Sequence, residues 1–445
     1  MKFLPAVICT IAVTAASADA AEWYVAANGS DSGSGTQSSP LSLSKALSSS
    51  SPARAGDTIW LRGGTYNSSY TSNLNGTASA PIIVRAYPGE RVILNANNAA
   101  AKSADVVLSI FGSNTYFWGF EIMSTDPFRP QTDGAHGPNG IYVNTSTNIK
   151  LINLVIHDLP GQGVGMWTEN TGAEMYGCLV YNVGSNHWDH GIYVQNNTGT
   201  KRLADNIVVN AASHGIHAYG SSEAFLNNIT LEGNTIYESG ILGGSPERNI
   251  LLGGLTVAQN PVVVNNYTYY RGTSGGNSNI GYSAGASNAR VQGNVWVAGN
   301  AAVRLIFSGG TVTGNSFIGP LDPSDTMSRW PQNTASSSRP TTGNQIFVRK
   351  NTYEPGRAHI TIYNWAKAGS VSVPLTDAGL NSGDGFEVRD AMNYFGAPVA
   401  TGTFDGSNSV SIPMNNLVPA APLGSGLTYP VHTCLLYTSP SPRDS

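Results

Sequence analysis

The chain has 445 residues, enough for two domains or one elongated one. Only 11% are charged, against roughly 25% in ordinary globular domains, and the formal net charge is −4. With no basic run, nucleic acid is excluded as an expected partner.

The first twenty residues, MKFLPAVICTIAVTAASADA, hold one lysine (Lys2), an apolar run and the small-residue ending Ala18–Asp19–Ala20. They read as an export signal over residues 1–20. The run is too short to span a bilayer, and no later stretch could. A secreted chain, extracellular or periplasmic, is expected. Of the three cysteines, Cys9 leaves with the signal and Cys434 lies in an anomalous tail. Cys178, in the alternating run YGCLVYN, remains as a buried, inert thiol, and no disulfide framework is expected.

After the signal come EWYVAANGSDSGSGTQSSPLSLSKAL, ARAGDTIWLRGGTY and GTASAPIIVRAYPGERVIL. These stretches resemble the entry of secreted right-handed parallel β-helix proteins of the pectate-lyase-like superfamily. The likeness runs from about Trp23 to about Ile318. It implies a carbohydrate-active protein, most often a polysaccharide lyase, otherwise a glycoside hydrolase or a uronate epimerase.

The residues downstream give the same all-β architecture. NGIYVN, QGVGMWT, HGIYVQ and HGIHAYG align on Gly140, Gly163, Gly191 and Gly215, spaced 23, 28 and 24 residues apart. A second column runs through Asn153, Asn206, Asn234, Asn266, Asn294 and Asn315, with Gly177 filling its gap. Short β-runs at this period, split by Gly and Asn, predict a solenoid whose coils bury their apolar faces only by stacking. Asn tolerates left-handed turns and can stack as a ladder.

Alternation assigns faces. Ile141, Val164, Ile192 and Ile216 form one inward row, and Val143, Met166, Val194 and Ala218 the next. Tyr142, Gly165, Tyr193 and His217 point outward, as do Asn144, Trp167, Gln195 and Tyr219. Asn139, Gln162, His190 and His214 precede the strands. Coils lie about 4.8 Å apart, so His190 should stack on His214 and Tyr193 should stand beside His217. Gly165 should leave a notch between Tyr142 and Tyr193.

A lyase on uronic acid units must neutralise the carboxylate, remove the C5 proton and assist the leaving oxygen. Tyr193, His190, His214 and His217 are the expected catalytic groups, with Asp189 orienting a histidine. Tyr142, Trp167, Gln195 and Tyr219 are expected to bind substrate, with Arg129, Lys150 and Arg202, alongside Lys201, as the available cations. A glycosidase would need Asp189 plus a second carboxylate from Asp158, Asp133, Glu121 or Glu169. An epimerase would use the same proton abstraction, and a non-catalytic glycan-binding helix would use the aromatics alone. His187 and Trp188 read equally as turn packing, His157 at the end of a different strand reads as a turn residue rather than a chemical one, and His136 lies in a loop able to fold over the groove. Calcium stays open as a cofactor, although no dedicated ligand cluster is visible.

The solenoid is expected over residues 21–318, followed by a Pro/Ser-rich linker, 319–343, and a small β-sandwich-like domain, 344–433. That domain could bind sugar, but capping and packing the solenoid is its expected role. The tail CLLYTSPSPRDS, residues 434–445, fits nothing before it and reads as a sequencing-adapter artefact in place of the natural end. A monomer is expected.

Overall fold

The computed structural model describes residues 20–96, 105–129, 137–272, 275–407 and 409–427, and the backbone of 437–438. The expected export signal up to Asp19, Asp133, His136 and most of the terminal segment lie outside the described residues.

Each coil is built from short strands in which buried and outward residues alternate. Coil after coil, the strands pair in parallel into three long sheets, a parallel β-helix. The register is the one that the glycine column predicts: Ile141 pairs with Val164, Val164 with Ile192, and Ile192 with Ile216. These four are fully buried, as are Val143, Met166, Val194 and Ala218. Full burial of one such aliphatic side chain is worth about 1.5–3 kcal/mol, so the stacked rows, running the length of the solenoid, are its main support.

The asparagine column proves to be two columns. Asn206, Asn234, Asn266, Asn294, Asn315 and Asn333 form a buried ladder, each amide donating to the next Oδ1 at 2.7–3.0 Å. Asn153 is one place earlier, where the backbone turns left-handed, in register with Gly177, Asp205, Gly233 and Asn265. Gly177 therefore matches Asn153, and Cys178 holds the ladder position, its N–H donating to Asn206 Oδ1 at 3.0 Å. Burial pushes the Cys178 thiol up to about 12, which leaves it unreactive.

Both solenoid ends are plugged. At one end the helix Leu43–Leu47, N-capped by Ser42, buries Leu43, Ala46 and Leu47 in the core. At the other, strands continue beyond Ile318 to Leu321–Asp322 and Thr334–Ser336, so the segment expected as a linker adds a last partial coil. Met327 and Trp330 close over the core there.

The C-terminal domain pairs its strands antiparallel: Gln345–Lys350 with Ala358–Tyr363, Ser370–Val373 with Val410–Pro413, and Gly385–Asp390 with Ala400–Thr403. It has its own apolar core. It caps no end: Tyr363, Ala391 and Met392 pack sideways against Val155, Leu179, Tyr181 and Ile207 of one solenoid sheet. The packing half of the expectation fits and the capping half does not. No helix among the described residues is long and apolar enough to cross a membrane.

Candidate active site

The sheet containing Asn139–Val143, Val164–Met166, Ile192–Val194, Ile216–Gly220 and Ile250–Gly254 carries a cleft of about 570 Å³. Two rows of side chains build it. The residues just before the strands form the first: Gln162, His190, His214 and Arg248, whose carbonyls accept the N–H groups of Gly140, Gly163, Gly191 and Gly215. The second is the outward row of Tyr142, Gly165, Tyr193, His217 and Leu251.

The His190 and His214 rings stack in parallel, with centroids 5.3 Å apart. Tyr193 and His217 meet edge to face at 5.2 Å. His217 Nδ1 and His190 Nε2 share a hydrogen bond of 2.7 Å. His214 Nδ1 accepts the backbone N–H of Arg248 at 3.2 Å. Burial pushes His190 down to about 3, with His187 adding to the effect, and holds His214 and His217 well below the usual imidazole value. All three rings are neutral at pH 7. Burial raises Tyr193, which therefore stays a phenol, and its oxygen accepts the Gln195 amide at 3.0 Å.

The notch expected at Gly165 is filled: a Cβ there would meet the Tyr142 ring at 2.9 Å, because Tyr142 leans across the bare backbone. Trp167 then stands between Tyr142 and Tyr193, at 5.0 and 5.5 Å. Tyr219 lies 5.1 Å from His217. Trp188 is 57% exposed at the rim, with its ring 4.8 Å from that of His187 in the same turn. Asp189 reaches the cleft but is only 2% exposed, and its Oδ2 accepts the N–H groups of Ser185 and Asn186 at 2.9 and 3.3 Å.

Residues 23–241, which contain the histidine cluster, match the family model of the Pel9A-like right-handed β-helix region. This is a pectate-lyase-like right-handed β-helix protein. Over 142 residues it is 35% identical to a pectate lyase, PEL9, of Emericella nidulans; the match takes in 29% of this chain and spans 31% of that relative. Among solved structures, pectate lyase Pel9A is similar with a TM-score of 0.46 and 17% identity, over 66% of this chain and 79% of the other. A GH136 lacto-N-biosidase from Eubacterium ramulus gives 0.48 and 14%, over 67% and 60%. At such identities the likeness concerns the coil architecture alone.

Three expected substrate cations of this pectate-lyase-like chain lie away from the cleft. Arg129 is buried, donating to the carbonyls of Leu159 (3.0 Å), Asn182 (2.9 Å), Gly184 (2.5 Å) and Leu423. It clamps two coils to the C-terminal segment. Lys150 and Arg202 belong to a different sheet. There Lys150 contacts Tyr353 (2.7 Å) and Glu174 (3.2 Å), and Arg202 contacts Glu174 and Glu232. Lys201 is buried; its Nζ donates to the carbonyls of Trp167 and Gln195, and burial pushes it down to about 7. It fixes the turn beneath the aromatic wall. Glu121 and Asp158 both bind His157, at 2.7 and 2.8 Å, on a third sheet, and Glu169 sits exposed in a turn.

The cation that the cleft does hold is Arg248, with Tyr282 beside it at 5.6 Å. Sequence alignment on glycine misses both, because Asn249 and Asn277 replace the glycine in their two coils. The run ILLGG, one coil after HGIHAYG, was the available signal. Among the described residues no group of three or more His, Cys, Asp or Glu side chains could hold a metal. In the cleft the Asp189 carboxylate is engaged by two backbone N–H groups and the rest of the lining is mainly aromatic, imidazole and guanidinium, a donor set that does not fit calcium.

Proposed function

We propose that the chain is an exported polysaccharide lyase that cleaves a uronate-containing glycan by β-elimination. One observation carries the reading: the cleft pairs a cluster of neutral histidines and a tyrosine with a single guanidinium, Arg248. Kinship with a protein named a pectate lyase supports the class.

The roles follow from the geometry. Arg248 meets the uronate carboxylate and, by withdrawing its charge, makes the C5 proton removable. His217 donates through Nδ1 to His190, which leaves Nε2 bare to take that proton. His190 is then a positioning residue that stabilises the imidazolium formed. Tyr193, held as a phenol with its oxygen fixed by Gln195, gives its proton to the departing glycosidic oxygen. Trp167, Tyr142, Tyr219 and Trp188 offer ring faces to the sugar.

Hydrolysis is the second reading, and Glu247 favours it. Burial raises its carboxyl, as suits a general acid, and it lies 3.4 Å from His214. A panel of uronans and neutral glycans separates the two. New reducing ends together with absorbance from unsaturated uronate ends mean elimination. Reducing ends without that absorbance overturn it in favour of Glu247 and Asp189.

A further inference from the structure

The sheet that carries the cleft does not stop at Arg248. The next strands, Gly276–Ser283 and Ala301–Leu305, continue the outward row from Leu251 to Asn279 and then Arg304. A second cavity, of about 340 Å³, opens over them, and Arg248 lines both. Arg248 lies against Gly276 of the next coil, where a Cβ would sit in ordinary contact with its side chain, 3.4 Å away.

Asn279 is the telling residue. It is 2% exposed, it lines this second cavity, and neither its Oδ1 nor its Nδ2 has a hydrogen-bond partner. A buried amide with both ends empty is costly, and native proteins rarely keep one without a ligand or water to fill it. Arg304 stands beside it in register. Its Nε is 3.1 Å from Asp322 Oδ2, but both side chains are about half exposed, so the pair is weak and readily exchanged for another anion.

We propose that Asn279 and Arg304, next to Arg248, form a distal subsite that holds a second acidic sugar unit of the same glycan chain. The amide takes a hydroxyl or ring oxygen and the Arg304 guanidinium meets the carboxylate, while Arg248, between the two cavities, stays on the carboxylate in the cleft. Arg304 is three coils from His217, roughly 14 Å, so filling both sites takes an oligomer rather than a single ring. The inference rests on the uronate reading of the cleft.

The test measures kcat/KM on dimers, tetramers and hexamers of galacturonate and of alginate, for the unmodified chain, Arg304→Gln and Asp322→Asn. Melting temperatures confirm folding. The unmodified chain should favour the hexamer. Arg304→Gln should cut the hexamer-to-dimer ratio about five- to tenfold, as loss of one charge-assisted contact implies. Asp322→Asn, which removes the competing carboxylate, should raise it. If Arg304→Gln fails to fold, Asp322→Asn alone decides. Uronide turnover with the same ratio in all three proteins overturns the distal subsite and spares the lyase reading. No turnover of any uronide overturns both.

Discussion

At the scale of single residues, the cleft makes two demands. His217 is proposed as base and His190 as its support, so His217→Ala should lower kcat by about 10²–10⁴. His190→Ala should lower it comparably, and circular dichroism should show both variants folded. Unchanged turnover in both would remove the histidines from the mechanism. The second demand concerns pH. Burial depresses His217 and raises Tyr193, so the base is unprotonated and the acid protonated across the neutral range. kcat/KM should therefore be flat from pH 7 to 9, with the acid limb well below 6.5. A limb centred near 6.5 would mean a solvated imidazole is doing the chemistry. The rings themselves were legible in the sequence, because alternation fixes which side chains leave a strand outward. Arg129, Lys150 and Arg202 were not placed correctly. Spacing along the chain does not say which sheet of a three-sheet coil a residue joins, nor that four carbonyls would converge on Arg129.

At the scale of the element, the asparagine ladder sets the coil. Asn266 donates to Asn294 and accepts from Asn234, deep inside a turn. Asn266→Ala should orphan polar groups on both neighbours and destabilise the fold by about 2–4 kcal/mol, read as a lower urea midpoint. A neutral result would make the ladder ornamental. The ladder was visible as a column of letters. Its one-residue offset at Asn153 was not, because Asn serves equally in the left-handed turn and in the stack. Arg248 was missed for a similar reason: a coil that opens on Asn in place of Gly drops out of a glycine alignment while keeping its register.

At the scale of the whole molecule, three buried histidines and the half-buried His217 link stability to pH. His190, His214, His217 and His359 are all depressed by burial. Their folded values lie below the unfolded one, so the unfolded chain binds more protons as pH falls below about 6.5. Stability is full above that value and is lost on acidification, by up to about 1.4 kcal/mol per pH unit for each ring. His157 acts in the other direction. Burial opposes its charge, but Asp158 and Glu121 prevail and raise it, so its contribution is complete below 6.5 and fades as pH rises through its folded value. Urea midpoints should drop steeply between pH 7 and 5. A rise would reverse the assigned burial of the four rings.

The plugs at the two ends have a bearing on association. A parallel coil stack whose terminal coil lies bare offers unpaired N–H and C=O groups to any identical coil. Head-to-tail contact of that kind never closes on itself. On that ground the helix Leu43–Leu47 and the turn bearing Trp330 should keep coils from joining end to end. Trp330→Asp, which opens one end, should yield growing rods in light scattering while leaving the histidine cleft, several coils away, intact.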